Sequence, residues 1–182
     1  MTTITAADIA RTRLATLQHI HEVRWLMCLV AAEASRRAHS HDDSKLEEPE
    51  LSGFAALATN LAGVEYGTPA YRQALADAAE VVGHHYRDPR NTHHPDHFEN
   101  GIRGMTLMDL LEMLCDHASA SRRTANGSIW KSLEVNRERF SLSDDLYQVL
   151  ANTIRAFCLD TALDIAPPYA PPPAYTGETQ RL

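Results

Sequence analysis

Between Ile9 and Val30, Leu14, Leu17, Ile20, Val23, Met27 and Val30 recur every three or four positions. That spacing stacks side chains along one face of an α-helix and would scatter them over both faces of a strand. A long first helix is therefore expected, running towards Arg37 and delivering the segment His39-Ser40-His41-Asp42 at its end. The same periodicity returns in shorter blocks, each opened by a capping or turn residue. Pro49 belongs in the first turn of a helix through Phe54, Leu57 and Leu61, closed by Gly63. Thr68-Pro69 is a cap and first-position pair for a helix through Tyr71, Leu75, Ala78 and Val82 to His84-His85. Thr106 and Asp109 form a capping box ahead of Leu107, Leu110, Leu111 and Leu114, while Ser128 and Ser143 open two more helices reaching Phe140 and Phe157. The fold class expected is all-α.

At 182 residues, 44% hydrophobic and 23% charged, residues 1–165 are expected to form a single globular domain. Residues 166–182 begin Ala-Pro-Pro-Tyr-Ala-Pro-Pro-Pro-Ala-Tyr, which favours polyproline geometry and a disordered or surface-draped tail. A net charge of −7 opposes long nucleic acids and anionic membrane surfaces. It leaves room for a small phosphorylated ligand, because Arg87, Arg90, Arg103, Arg122 and Arg123 lie near the histidines in sequence. No apolar run is long enough to cross a bilayer and no basic-then-apolar start is present, so the expected address is the cytoplasm. Cys28, Cys115 and Cys158 are isolated in apolar runs and are expected to be reduced core residues.

Seven of the ten histidines fall in two short clusters, a grouping that neither a solvated surface nor an apolar core requires. His39 and His41 precede Asp42, while His84 and His85 stand just before, and His93, His94 and His97 within, a stretch from Arg87 to Gly104 without apolar periodicity. A loop of that length, rich in proline, glycine and asparagine, is expected to be ordered and functional. Neutral imidazoles and carboxylates are the usual ligands of zinc, manganese, iron, nickel and cobalt. The ligand set expected is His41, Asp42, His85 and His94, with His84 close behind. On the first helix His19 and His21 point in different directions, and His19 is the one expected to join. Asp116, between apolar positions of its helix, is expected to face inward and to need a cation. His93 and His97 are expected as contacts to substrate or to the ligands.

These residues resemble, in their order, the HD-domain metal-dependent phosphohydrolases: a histidine, a His-Asp pair, further histidines and a late aspartate. The resemblance implies a helical bundle with a metal site between helices, in which His19, His41, Asp42 and Asp116 match the basic ligand set. His84, His85 and His94 would extend it to a second ion. The string His41-Asp42-Asp43-Ser44-Lys45-Leu46 is similar to the His-Asp-x-Gly-Lys segment of the HD-GYP branch, which gives Lys45 a phosphate-contacting role, although Ser44 replaces the glycine. The Gly-Tyr-Pro loop that marks cyclic-di-guanylate phosphodiesterases is absent, so that activity is not carried over. Segments such as His84-His85-Tyr86 and His93-His94-Pro95-Asp96-His97 also look like an uncharacterised family of phages and bacteria, which implies no substrate.

The expected function is hydrolysis of a phosphoester in a small substrate, with a nucleotide the leading class, by a water activated at one or two divalent transition-metal ions. Lys45 and an arginine, Arg87, Arg90 or Arg122, would offset phosphoryl charge, and Glu112, one turn before Asp116, is a candidate general acid or ligand-orienting group. The alternatives are a di-iron oxygenase built on the same ligands and a metal- or nucleotide-binding regulatory module without turnover. A homo-oligomer is compatible with all three.

Overall fold

The computed structural model describes residues 3–64, 68–123 and 126–161. Among these the chain forms seven α-helices and no strand: α1 (Ala6–Ser40), α2 (Glu50–Leu61), α3 (Pro69–Asp77), α4 (Ala79–Arg87), α5 (Leu107–Ser121), α6 (Ile129–Arg139) and α7 (Asp144–Ala156). The protein is all-α. The proline-rich tail at 166–182 lies outside the described residues. Contacts group the chain into two compact units, Met1–Met113 and Leu114–Leu182, with the division falling inside α5.

In the first unit, α1 opens on a capping box in which Thr5 Oγ1 accepts from the Asp8 amide and Asp8 Oδ2 accepts from the Thr5 amide. The helix is 35 residues long, which at 1.5 Å per residue is about 52 Å. None of its residues is buried, and the apolar stripe from Leu14 to Val30 faces solvent. Its C-terminal turn is the part tied down. Arg37 donates to Glu33 Oε1 at 2.9 Å on its own helix, and to Asp109 Oδ1 at 2.6 Å and Glu112 Oε2 at 3.1 Å on α5. The helix stops at His41, whose ψ of 123° leaves the helical region, and Asp42 after it adopts the left-handed region, φ 60°, which asparagine, aspartate and glycine tolerate best.

Helix α2 packs against α4 so closely that a Cβ added to Gly53 would meet Val81 Cγ2 at 2.5 Å. The single helix expected from Thr68 to His85 is two, α3 and α4, broken at Ala78, where ψ is 5°. The amphipathic pattern runs through the break because the chain bends without losing its buried side, Ala74 and Ala78. From Asp88 to Met105 the chain is ordered by successive turns, including 3-10 turns at Pro95–His97 and Gly101–Gly104. Thr106 and Asp109 form the expected capping box at the start of α5.

The second unit has an ordinary apolar core of Leu114, Ala118, Ile129, Leu133, Leu142, Leu150, Ala151 and Ile154. Ser128 and Ser143 cap α6 and α7 as expected. The cysteines are a correction: Cys28, Cys115 and Cys158 are all exposed and none is in a disulfide. Cys28 sits on a helix exposed along its length, and Cys158 occupies a left-handed turn just beyond α7. Helical spacing alone did not reveal either environment.

Candidate metal centre

The buried middle of the first unit is polar. Besides a few apolar residues it contains Ser44, Glu50, His85, Asn91, His93 and Asp109, each no more than 2% exposed. Five segments bring them together: the turn after α1, the start of α2, the end of α4, the loop beyond it and the first turn of α5.

Asp42 Oδ1 is buried without a hydrogen bond of good geometry, 3.3 Å from His85 Nε2 and 3.6 Å from His93 Nε2. His85 Nε2 in turn is 3.0 Å from His94 Nε2. Ligand atoms from Asp42, His85, His93 and His94 thus lie within 4.8 Å of one another. A second group meets on the same criterion at His41, His93 and Glu112, where His41 Nδ1 is 2.9 Å and His93 Nδ1 3.4 Å from Glu112 Oε1.

The atoms behind His85 decide which of its nitrogens faces the group. Glu50, 1% exposed at the start of α2, accepts from His85 Nδ1 and from Ser44 Oγ at 2.8 Å each through Oε2. Its Oε1 accepts from His84 Nδ1 at 2.8 Å. A carboxylate on Nδ1 holds the proton there and turns the Nε2 lone pair towards Asp42 and His94. Asn91, fully buried, donates to Ser44 Oγ and to the His85 carbonyl, which fixes the end of α4. Several acceptors aimed at one another in a buried space repel unless a cation lies between them. The donor set of one carboxylate and three imidazoles therefore fits a transition-metal ion.

Burial pushes the Asp42 carboxyl up, but the close approach of the His85 ring and the hydrogen bond and positive charge of Lys45 hold it far below the usual carboxylate range. Lys45 Nζ is 2.6 Å from Asp42 Oδ2 and lies over the Phe54 ring. Glu112 is also held down: burial raises it, while the His41 hydrogen bond, the His93 charge and Arg37 lower it.

The chain matches, over residues 8–156, the model of a family of unknown function, DUF5662. It belongs to that family. No curated protein and no solved structure matches it.

Of the residues expected from sequence, this DUF5662 chain brings together His41, Asp42, Lys45, Glu112, His85, His93 and His94. His93 stands among the potential ligands rather than outside them. His84 touches the group through Glu50 and otherwise lines an open groove of 400 Å³ between α2 and α4, together with Arg87. His19 does not join: α1 is one unbroken helix, so His19 lies about 30 Å from its C-terminal end. His97 hydrogen-bonds the Tyr86 carbonyl through Nδ1 and packs on Phe98. Arg122 belongs to the second unit and donates to the carbonyls of Leu159 and Thr161. Asp116 follows Glu112 by one turn and shares its face of α5, within the second unit. Sequence reasoning missed Glu50, Asn91 and Arg37. A buried glutamate beside proline and serine leaves no periodic signal, although Ser44 in place of glycine was a trace of it.

Proposed function

We propose that the chain is a metal-dependent phosphohydrolase acting on a small phosphorylated substrate, with a nucleotide the first class to test. The observation that carries the reading is the convergence of Asp42 with the Nε2 atoms of His85, His93 and His94. Asp42, His85, His93 and His94 are the proposed holders of one ion, with His41 and Glu112 beside them. A divalent ion there, whether manganese, iron, nickel, cobalt or zinc, supplies a water of near-neutral pKa and polarises a phosphoryl oxygen.

The chain's own groups do the rest. Lys45 is one-third exposed, so its ammonium reaches both Asp42 and an incoming phosphate oxygen. Glu112, held ionised by His41 and Arg37, suits the role of acceptor orienting His41 and His93 rather than that of a proton donor. The HD-domain resemblance supports the same reaction class and the same pairing of Asp42 with His41.

The test is elemental analysis of the purified chain, followed by phosphate release from a panel of nucleotides by wild type, Asp42→Asn and His85→Ala. Metal-dependent release that falls at least 100-fold in both variants is the expected result. Iron with oxygen uptake and no phosphate release would instead identify an oxygenase, and nucleotide binding without turnover a regulatory module. Release that survives both substitutions would reject the proposal.

A further inference from the structure

We propose that Arg37 is a positioning residue of the metal centre, one that acts through Glu112 to aim the Nε2 atoms of His41 and His93 at Asp42. This role presupposes the metal reading above and adds to it a residue outside the ligand set. Glu112 and Asp42 face opposite edges of the same two imidazoles. Glu112 Oε1 lies 2.9 Å from His41 Nδ1 and 3.4 Å from His93 Nδ1, while the Asp42 carboxylate lies 3.4 Å from His41 Nε2 and 3.6 Å from His93 Nε2. A carboxylate on Nδ1 keeps the proton there and leaves the Nε2 lone pair for a cation, so one glutamate orients two rings.

The other oxygen of Glu112 decides where that carboxylate stands. Oε2 accepts from Arg37 Nη1 at 3.1 Å, and the same nitrogen donates to Asp109 Oδ1 at 2.6 Å while Nε donates to Glu33 Oε1 at 2.9 Å. Fixed by Asp109 and Glu33 and only 18% exposed, the guanidinium is an anchor to which Glu112 is held. Its planar fork suits the post, because several donors leave it at set angles. Charge works in the same direction. Asp109 and Glu112 are three residues apart on one face of α5, where like charges repel, and Arg37 Nη1 lies between them. Without it, Asp109 pushes Glu112 off the two rings. A second route from Arg37 to His93, through Thr92 Oγ1 at 3.3 Å, is the lesser one: Thr92 keeps its bond to Asp109 Oδ1 when the arginine is lost.

The test is cobalt(II) uptake by the full chain, read as affinity in competition with a coloured chelator and as the visible absorption of the bound ion, which reports its ligand geometry. Arg37→Met is expected to bind cobalt about 10- to 100-fold more weakly than wild type, the usual cost of losing a group that orients ligands, and with an altered spectrum. In a Glu112→Gln background the same substitution is expected to change affinity less than about twofold, because the carboxylate it held is already gone. Arg37→Lys keeps a charge there and guards against loss of the fold; it is expected to fall between methionine and wild type, with the same dependence on Glu112. A role in the scaffold alone would lower urea stability and weaken cobalt binding by one factor in both backgrounds, and that result would overturn the proposal. So would wild-type affinity and spectrum in Arg37→Met, which would leave the metal reading standing. A wild-type chain that takes up no cobalt would reject both.

Discussion

At the scale of single residues, Glu50 and Asp42 have separable duties. Among the described residues the Glu50 carboxylate accepts from Ser44, His84 and His85, and the last of these contacts bears on which nitrogen of His85 carries the proton. Glu50→Gln is expected to weaken metal binding about 10- to 100-fold, the usual cost of losing a group that orients a ligand. Competition with a coloured chelator measures this, and unchanged affinity would remove Glu50 from the centre. Asp109 reports on stability rather than on metal. Burial raises its carboxyl, but hydrogen bonds from Thr106 and Thr92 and the Arg37 pair outweigh burial and bring it from 3.8 to about 2. A folded pKa below the unfolded one means that the stabilisation is complete above about pH 4 and lost as pH falls towards 2. Asp109→Asn should cost about 2 kcal/mol at neutral pH. The gap between the urea-unfolding free energies of variant and wild type should close in acid, and a constant gap would disprove the linkage.

At the scale of elements, the meeting of α2 with α4 sets where Glu50 and His85 stand. Gly53→Ala forces a Cβ to within 2.5 Å of Val81 Cγ2 and is expected to cost about 1–3 kcal/mol, like other over-packed contacts. Adding Val81→Ala should recover part of that loss, and thermal melts of the double-mutant cycle measure it. The helices themselves were largely legible, because Thr5, Thr68, Ser128 and Ser143 announce helix starts in ways that need no tertiary information. The histidine clusters and Asp42 were legible as well, since such residues crowd together for few other reasons. What stayed hidden depends on packing that periodicity does not carry. The bend at Ala78 preserves the apolar face, and His19 has a ligand's chemistry but stands a full helix away from the centre. Glu50 is buried by its neighbours rather than by any pattern of its own.

At the scale of the whole molecule, the two units are held together internally by different means. The second has a conventional apolar core, whereas the first buries a carboxylate, an amide and imidazoles at its middle. Binding an ion there stabilises the folded chain by about 2.7 kcal/mol when free metal is 100 times its dissociation constant. Stripping metal with a chelator should therefore lower the melting temperature of wild type by several degrees and leave Asp42→Asn unchanged. Equal shifts in both would show that the centre holds no ion. The left-handed turn at Asp42 has one more consequence. Its main chain admits few residue types, and asparagine is the one that keeps the shape while discarding the charge. An alanine there would blur two injuries into one, so an amide at this corner is the instrument that separates scaffolding from electrostatics.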